Sequence, residues 1–117
     1  MIWIYIAAPY RAETMSKIAH NIAFARERAE RFWAAGVPAY CPHMNTAFMD
    51  GSAPDKLFLA AGLDMVSRCD GIYGCGEWGF SEGAMQEWDL AHKLGKKQFR
   101  SGEFDIAVMW ALRKMEK

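Results

Sequence analysis

Residues 2–7, Ile2-Trp3-Ile4-Tyr5-Ile6-Ala7, form an unbroken run of apolar, β-prone side chains. A strand wetted on one side alternates apolar with polar residues. One apolar at every position suits a strand covered on both faces, as in a parallel sheet between helices. The next segment fits that frame. Ala8-Pro9-Tyr10-Arg11 breaks the run, and from Thr14 to Ala35 the apolar positions Ile18, Ile22, Ala25, Ala29 and Phe32 recur every three or four residues. Gly36 supplies a stop, so the segment reads as a long amphipathic helix.

The pattern then repeats. Val37–Cys41 reads as a second strand ended by Pro42, and residues 42–54 read as a loop long enough to suggest a function. A second helix is expected from Pro54-Asp55 to Arg68, with Leu57, Ala61, Leu63 and Val66 inward, and a third strand over Asp70–Gly74. Ser81 starts a third helix that ends near Leu94 before Gly95. Residues 97–100 carry a weakly coded strand, and Asp105–Met115 a last helix with Ile106, Met109, Trp110 and Leu112 inward. Alternating strands and helices with short connections build right-handed βαβ units. The expected architecture is one domain over residues 1–117: a three-layer α/β fold, flavodoxin-like or Rossmann-like, with a parallel sheet of four or five strands flanked by helices.

Charge narrows the partners. Fourteen Lys and Arg against fourteen Asp and Glu give no net charge, which argues against a nucleic-acid polymer as ligand. No stretch is long and apolar enough for a membrane span. Three cysteines, an odd number in apolar surroundings, point to free thiols and a reducing cytoplasm. Ligands on parallel sheets sit at the carboxyl ends of the strands, which nominates Ala7–Arg11, Cys41–Asn45, Gly74–Phe80 and the start of the third helix.

Four groups of residues at that edge carry chemistry. In Ser81-Glu82-Gly83-Ala84-Met85-Gln86-Glu87, Ser81 and the free amides above it can cap the helix or hold a phosphate. Gly83 and Ala84 leave the backbone open, and Glu87 lies one turn beyond Gly83 on the same face. The plainer alternative is a capped helix start with a solvated glutamate. Gly74-Cys75-Gly76-Glu77-Trp78-Gly79 matches G-x-G-x-x-G, but it follows the third strand, and no acidic residue ends the next strand to take a ribose hydroxyl. A dinucleotide-cofactor domain is therefore the lesser reading, and Trp78 is expected to wall a pocket. Tyr5 is either core or aimed into the site, and Arg11, in the loop with Pro9, is either a surface residue or an anion contact. Cys41-x-His43 lacks a second pair at ligand spacing, so no metal is expected and His43 reads as a polar contact. No cofactor is expected.

Taken in order, Tyr5-Ile6-Ala7-Ala8-Pro9-Tyr10-Arg11, Cys41-Pro42-His43, Leu63…Arg68-Cys69-Asp70 and Ser81-x-Gly83-Ala84-x-x-Glu87 resemble the nucleoside 2-deoxyribosyltransferase-like superfamily. They look closest to its small phage and bacterial members and to the deoxynucleoside-monophosphate N-glycosidases. The resemblance spans most of residues 2–96. It implies a nucleoside or nucleotide substrate and cleavage or transfer at its N-glycosidic bond. Glu87 would be the nucleophile at C1′, Ser81 would hold the 5′ end, Tyr5 would orient the site and His43 would lie near the ligand. It also implies a homo-oligomer, a dimer or larger. The chain departs from the pattern at Gly62, where the family carries an aspartate; Asp64 lies two residues on, about 200° around a helix. That departure leaves open a non-catalytic nucleotide-binding module on the same scaffold.

Overall fold

The computed structural model describes residues 1–116. In chain order it contains β1 (Ile4–Ala7), α1 (Met15–Ala34), β2 (Ala39–Tyr40), α2 (Pro42–Thr46), α3 (Asp55–Arg68), β3 (Gly71–Gly74), α4 (Glu82–Lys93), β4 (Lys97–Arg100) and α5 (Phe104–Met115). Short 3₁₀ turns cover Trp78–Phe80 and Ser101–Glu103. Among the described residues the sheet has four strands, ordered β2-β1-β3-β4 and parallel throughout. Ile4 pairs with Gly71 and Ala7 with Gly74, which puts the ends of β1 and β3 level. The fold is the expected three-layer α/β arrangement in flavodoxin-like order.

Strand alternation distributes the core. Ile4 and Ile6 of β1 face α1 and α5, where Ala25, Ala29, Phe32, Tyr73, Phe99, Ala107 and Ala111 fill one layer. Tyr5 and Ala7 face the other way, onto Val66, Ile72, Ala84 and Ala91 beneath α3 and α4. Helix α1 forms where the pattern predicts it. The Thr14 side chain accepts from the Lys17 amide at 3.1 Å, and Gly36, at φ +90°, takes the left-handed turn that releases the chain into Val37.

Four expectations need correction. Residues 42–54 are not all loop: Pro42, with its fixed φ, starts the short helix α2 after the extended Cys41. β2 is only two residues long. On α5 the small residues turn inward, so Ala107 and Ala111 are buried while Ile106 and Met109 are 56% and 55% exposed and Leu112 is also exposed. On α3 the buried positions are Gly62 and Val66; Leu57 and Ala61 are exposed. Gly62 on α3 and Ala107 and Ala111 on α5 bring the helix backbones close to the sheet, while Val66 and, against Phe99, Trp110 pack inward as expected. No helix among the described residues is long and apolar enough to cross a membrane.

Candidate functional site

A cleft of about 910 Å³ opens at the carboxyl edge of the sheet. It lies over β1, the strand on one side of the point where the strand order reverses, as expected for a ligand site in such sheets. Its walls come from the loop after β1, from α2, from the N-terminal half of α1, from α3 and from the start of α4.

Glu87 borders the cleft, half-buried. The turn from Gly83 to Glu87 brings it over the sheet, where Tyr5, itself wholly buried, donates its hydroxyl hydrogen bond to Glu87 Oε2. The contact depends on Gly62. A Cβ at that position would come 2.7 Å from Glu87 Oε2 and 3.2 Å from the Tyr5 hydroxyl, so the α3 backbone leaves open the space that the carboxyl occupies. Desolvation raises the Glu87 pKa from the usual 4.5 to about 7, and the Tyr5 bond, which favours the charged form, opposes this only in part. Burial, and then the neighbouring Glu87, hold the Tyr5 phenol well above its ordinary range, so it remains a donor at any working pH.

Ser81 caps α4 by accepting from the Ala84 amide at 3.3 Å, and it borders the cleft with Gly83. Arg11 reaches the rim and pairs with Asp55 at 2.8 Å, both side chains mostly exposed. His43 is buried, with Nε2 held 2.9 Å from the Pro9 carbonyl oxygen, and burial lowers its pKa, so it is a neutral ring that fixes the β1 loop. Pro9 and His43 both line the cleft.

Trp78 does not. Its indole lies over Gly74, where a Cβ would meet Nε1 at 2.9 Å, and it packs against Trp88 with ring centroids 4.5 Å apart, away from the cleft lining. The glycine spacing at 74 and 76 has a packing use: a Cβ at Gly76 would press on Phe24 at 3.2 Å. Asp64 is also elsewhere, paired with Arg68 at 3.0 Å on the exposed side of α3. Cys41, Cys69 and Cys75 are buried free thiols, pushed up by desolvation to about 11, 11 and 12, which leaves them un-ionised. Among the described residues no group of three or more His, Cys, Asp or Glu side chains is placed to hold a metal.

Sequence reasoning missed part of the lining. Lys17, His20, Asn21 and Phe24 recur at helical spacing along α1 and face the cleft. That stripe was visible in the sequence as the polar neighbour of the core stripe. Tyr10 was less legible: its hydroxyl donates to Asp50 at 2.5 Å and accepts from the Phe48 amide at 3.0 Å, tying the loop after α2 to the loop after β1.

A family described as a domain of unknown function, DUF7768, matches residues 2–100. The chain belongs to that family. No protein of curated function matches it in sequence. Among solved structures, this DUF7768 member is similar to a 2-deoxyribosyltransferase from Bacillus psychrosaccharolyticus, with a TM-score of 0.60 and 18% identity over 84% of this chain and 70% of the other. It is also similar to a 2-deoxyribosyltransferase from Leishmania mexicana, with a TM-score of 0.59 and 20% identity over 86% of this chain. It spans 63% of the Leishmania chain, less than two thirds. The fold of the DUF7768 member is thus nucleoside 2-deoxyribosyltransferase-like.

Proposed function

We propose that the chain, as one domain, binds a nucleoside or nucleotide and cleaves or transfers at its N-glycosidic bond. The observation that carries this reading is the Glu87 carboxyl, desolvated and hydrogen-bonded by Tyr5 at the border of a cleft large enough for a nucleotide. Breaking a bond from C1′ to a base nitrogen builds positive charge on the sugar, and a nearby carboxylate stabilises that charge or traps it as an ester. Tyr5 holds the carboxylate oriented. Ser81 and the amides opening α4 receive the 5′ end. Arg11 offers a cation to an anionic group, because its exposed pair with Asp55 is worth only about 0–1 kcal/mol and is readily given up. Gly83 leaves room for the sugar, and Pro9 and His43 shape the wall. Trp78 has no part. The likeness in fold to two 2-deoxyribosyltransferases supports the same reaction class.

The test is incubation with purine, pyrimidine and pyridine nucleosides and their 5′-monophosphates, with and without an acceptor base, followed by chromatography. Free base, or exchanged base when an acceptor is present, is expected from at least one of them. Release from none counts against catalysis.

Tyr5→Phe is expected to keep the fold, because only a hydroxyl is removed from a buried ring. Losing a hydrogen bond to a charged group should lower kcat by about 10–100-fold with KM little changed. The rising limb of the pH–rate profile, which follows ionisation of Glu87, should move to higher pH, since the group that favours the charged form is gone. A limb left in place would show that Tyr5 does not act on Glu87.

A further inference from the structure

Helices α3 and α4 interlock beside the cleft by one side chain and one glycine each. Leu59 of α3 lies over Gly83 of α4, where a Cβ would find Cδ2 at 3.4 Å, an ordinary contact. Glu87 of α4 lies over Gly62 of α3 in return, and there the fit is closer. Beyond α3 itself, the three atoms nearest a Cβ at position 62 would be Glu87 Oε2 at 2.7 Å, the Tyr5 hydroxyl at 3.2 Å and Glu87 Cδ at 3.9 Å. The atom in the way is the oxygen that accepts from Tyr5. It sits at the far end of a flexible side chain, so an added methyl would displace the carboxyl and leave the two helices where they are.

The backbone does not ask for glycine at this position. Gly62 is buried in the interior of the 14-residue helix α3, with helical geometry that alanine adopts readily. Glycine in a helix interior is less stable than alanine, because it loses more chain freedom on folding. The chain gives up helix stability at position 62, and the room so gained is filled by the Glu87 carboxyl.

We propose that Gly62 is a positioning residue, which acts by having no side chain and so seats the Glu87 carboxyl in a notch of α3 against the Tyr5 hydroxyl. Its effect on turnover rests on the N-glycosidic reading given above; the seating itself does not. With a methyl in the notch, Glu87 swings away from Tyr5 and meets the substrate in no fixed orientation. Misplacing a reacting group by about 1 Å is enough to cost roughly 100-fold in rate.

The experiment places Gly62→Ala in the parent chain and in Glu87→Ala, where the notch is empty. In the parent background, kcat for base release should fall about 10–100-fold with KM within about threefold, since Ser81 and Arg11 are untouched. The Glu87 carboxyl carbon, followed by NMR, should titrate closer to the ordinary 4.5 than to 7, and the Tyr5 ring resonances should cease to follow it. Arg11, Lys17, His20, Asp55, Glu77 and Glu82 also line the cleft and are the same in both proteins, so a moved midpoint reports the seat of Glu87 itself. In the Glu87→Ala background the same substitution should raise Tm by about 2–5 °C, because only the gain in helix stability remains. A midpoint that stays at about 7, with Tyr5 still following, overturns the inference whatever happens to kcat. So does an equal fall in Tm in the two backgrounds, which would make Gly62 a packing residue of α3. A moved midpoint with kcat unaltered overturns it as well, by showing that turnover does not need the seat. Base release from none of the substrates removes the N-glycosidic reading, and the titration and melting arms then still decide whether Gly62 seats the carboxyl.

Discussion

Glu87→Gln is expected to abolish turnover and to make the protein more stable above pH 7. On the proposed function, in which this carboxylate acts on the reacting carbon, its removal should lower kcat/KM by about 10³-fold or more. The stability effect arises from the same burial. The folded chain holds the Glu87 proton up to a pKa of about 7, whereas an unperturbed glutamate releases it near 4.5. Between those values the folded state binds the extra proton, so the stability linked to this group is fully present below pH 4.5 and lost as pH rises through 7. Allowing for the partial exposure of the residue, the cost of the ionised form is about 2–3 kcal/mol, or roughly 10 °C in Tm. Glutamine has no such charge to bury. Melting curves at pH 5 and pH 8 should therefore converge for the two proteins at the lower pH and separate at the higher, with the inactive variant melting later. Parallel curves with unaltered turnover would place the Glu87 carboxyl in ordinary water.

Phe32→Ala is expected to produce the largest loss of stability. The ring is wholly buried where α1 meets the sheet and α5, 4.7 Å from the Phe104 centroid and 5.2 Å from Tyr73. Truncation removes contacts on two other elements at once, β3 and α5, and a close-packed layer of alanines and aromatics has little freedom to collapse into the space. The expected cost is about 3–5 kcal/mol in urea denaturation, a large share of the roughly 5–15 kcal/mol that holds a domain folded. Phe32 packs in the layer opposite Tyr5, so the Glu87 pKa should not move while the variant remains folded. A loss below about 1 kcal/mol would mean that α1 packs only loosely on the sheet.

How much of the fold and the site was legible in the sequence depends on the residue. β1 and α1 were, because an unbroken apolar run, a Thr14 cap and a Gly36 stop all specify the same thing. The inward faces of α3 and α5 were legible only in part: Val66 and Trp110 pack against the core as read, while other positions differ. Hydrophobicity ranks Leu57, Ile106 and Met109 above Gly62, Ala107 and Ala111, yet helices packed closely on a sheet select for smallness. The Ser81–Glu87 spacing puts a carboxylate one turn from Gly83 on α4, and both residues border the cleft, because helical periodicity is local. The meaning of Gly62 could not be read that way. It stood out in the sequence as the place where a related family carries an aspartate, but its contact with Glu87 joins two helices 25 positions apart and exists only in three dimensions. Trp78 misled for a similar reason: a glycine-rich segment suggests an open loop, and here the glycine at 74 makes room for the indole itself.

The proposed chemistry depends above all on Glu87 being a partly desolvated carboxyl beside Tyr5 at the cleft. An NMR titration of its side-chain carboxyl carbon in the labelled protein, assigned against Glu87→Gln, measures that directly. The expected midpoint is at about pH 7, with the Tyr5 ring resonances shifting over the same range. A midpoint near the ordinary 4.5, with Tyr5 unmoved, would contradict it.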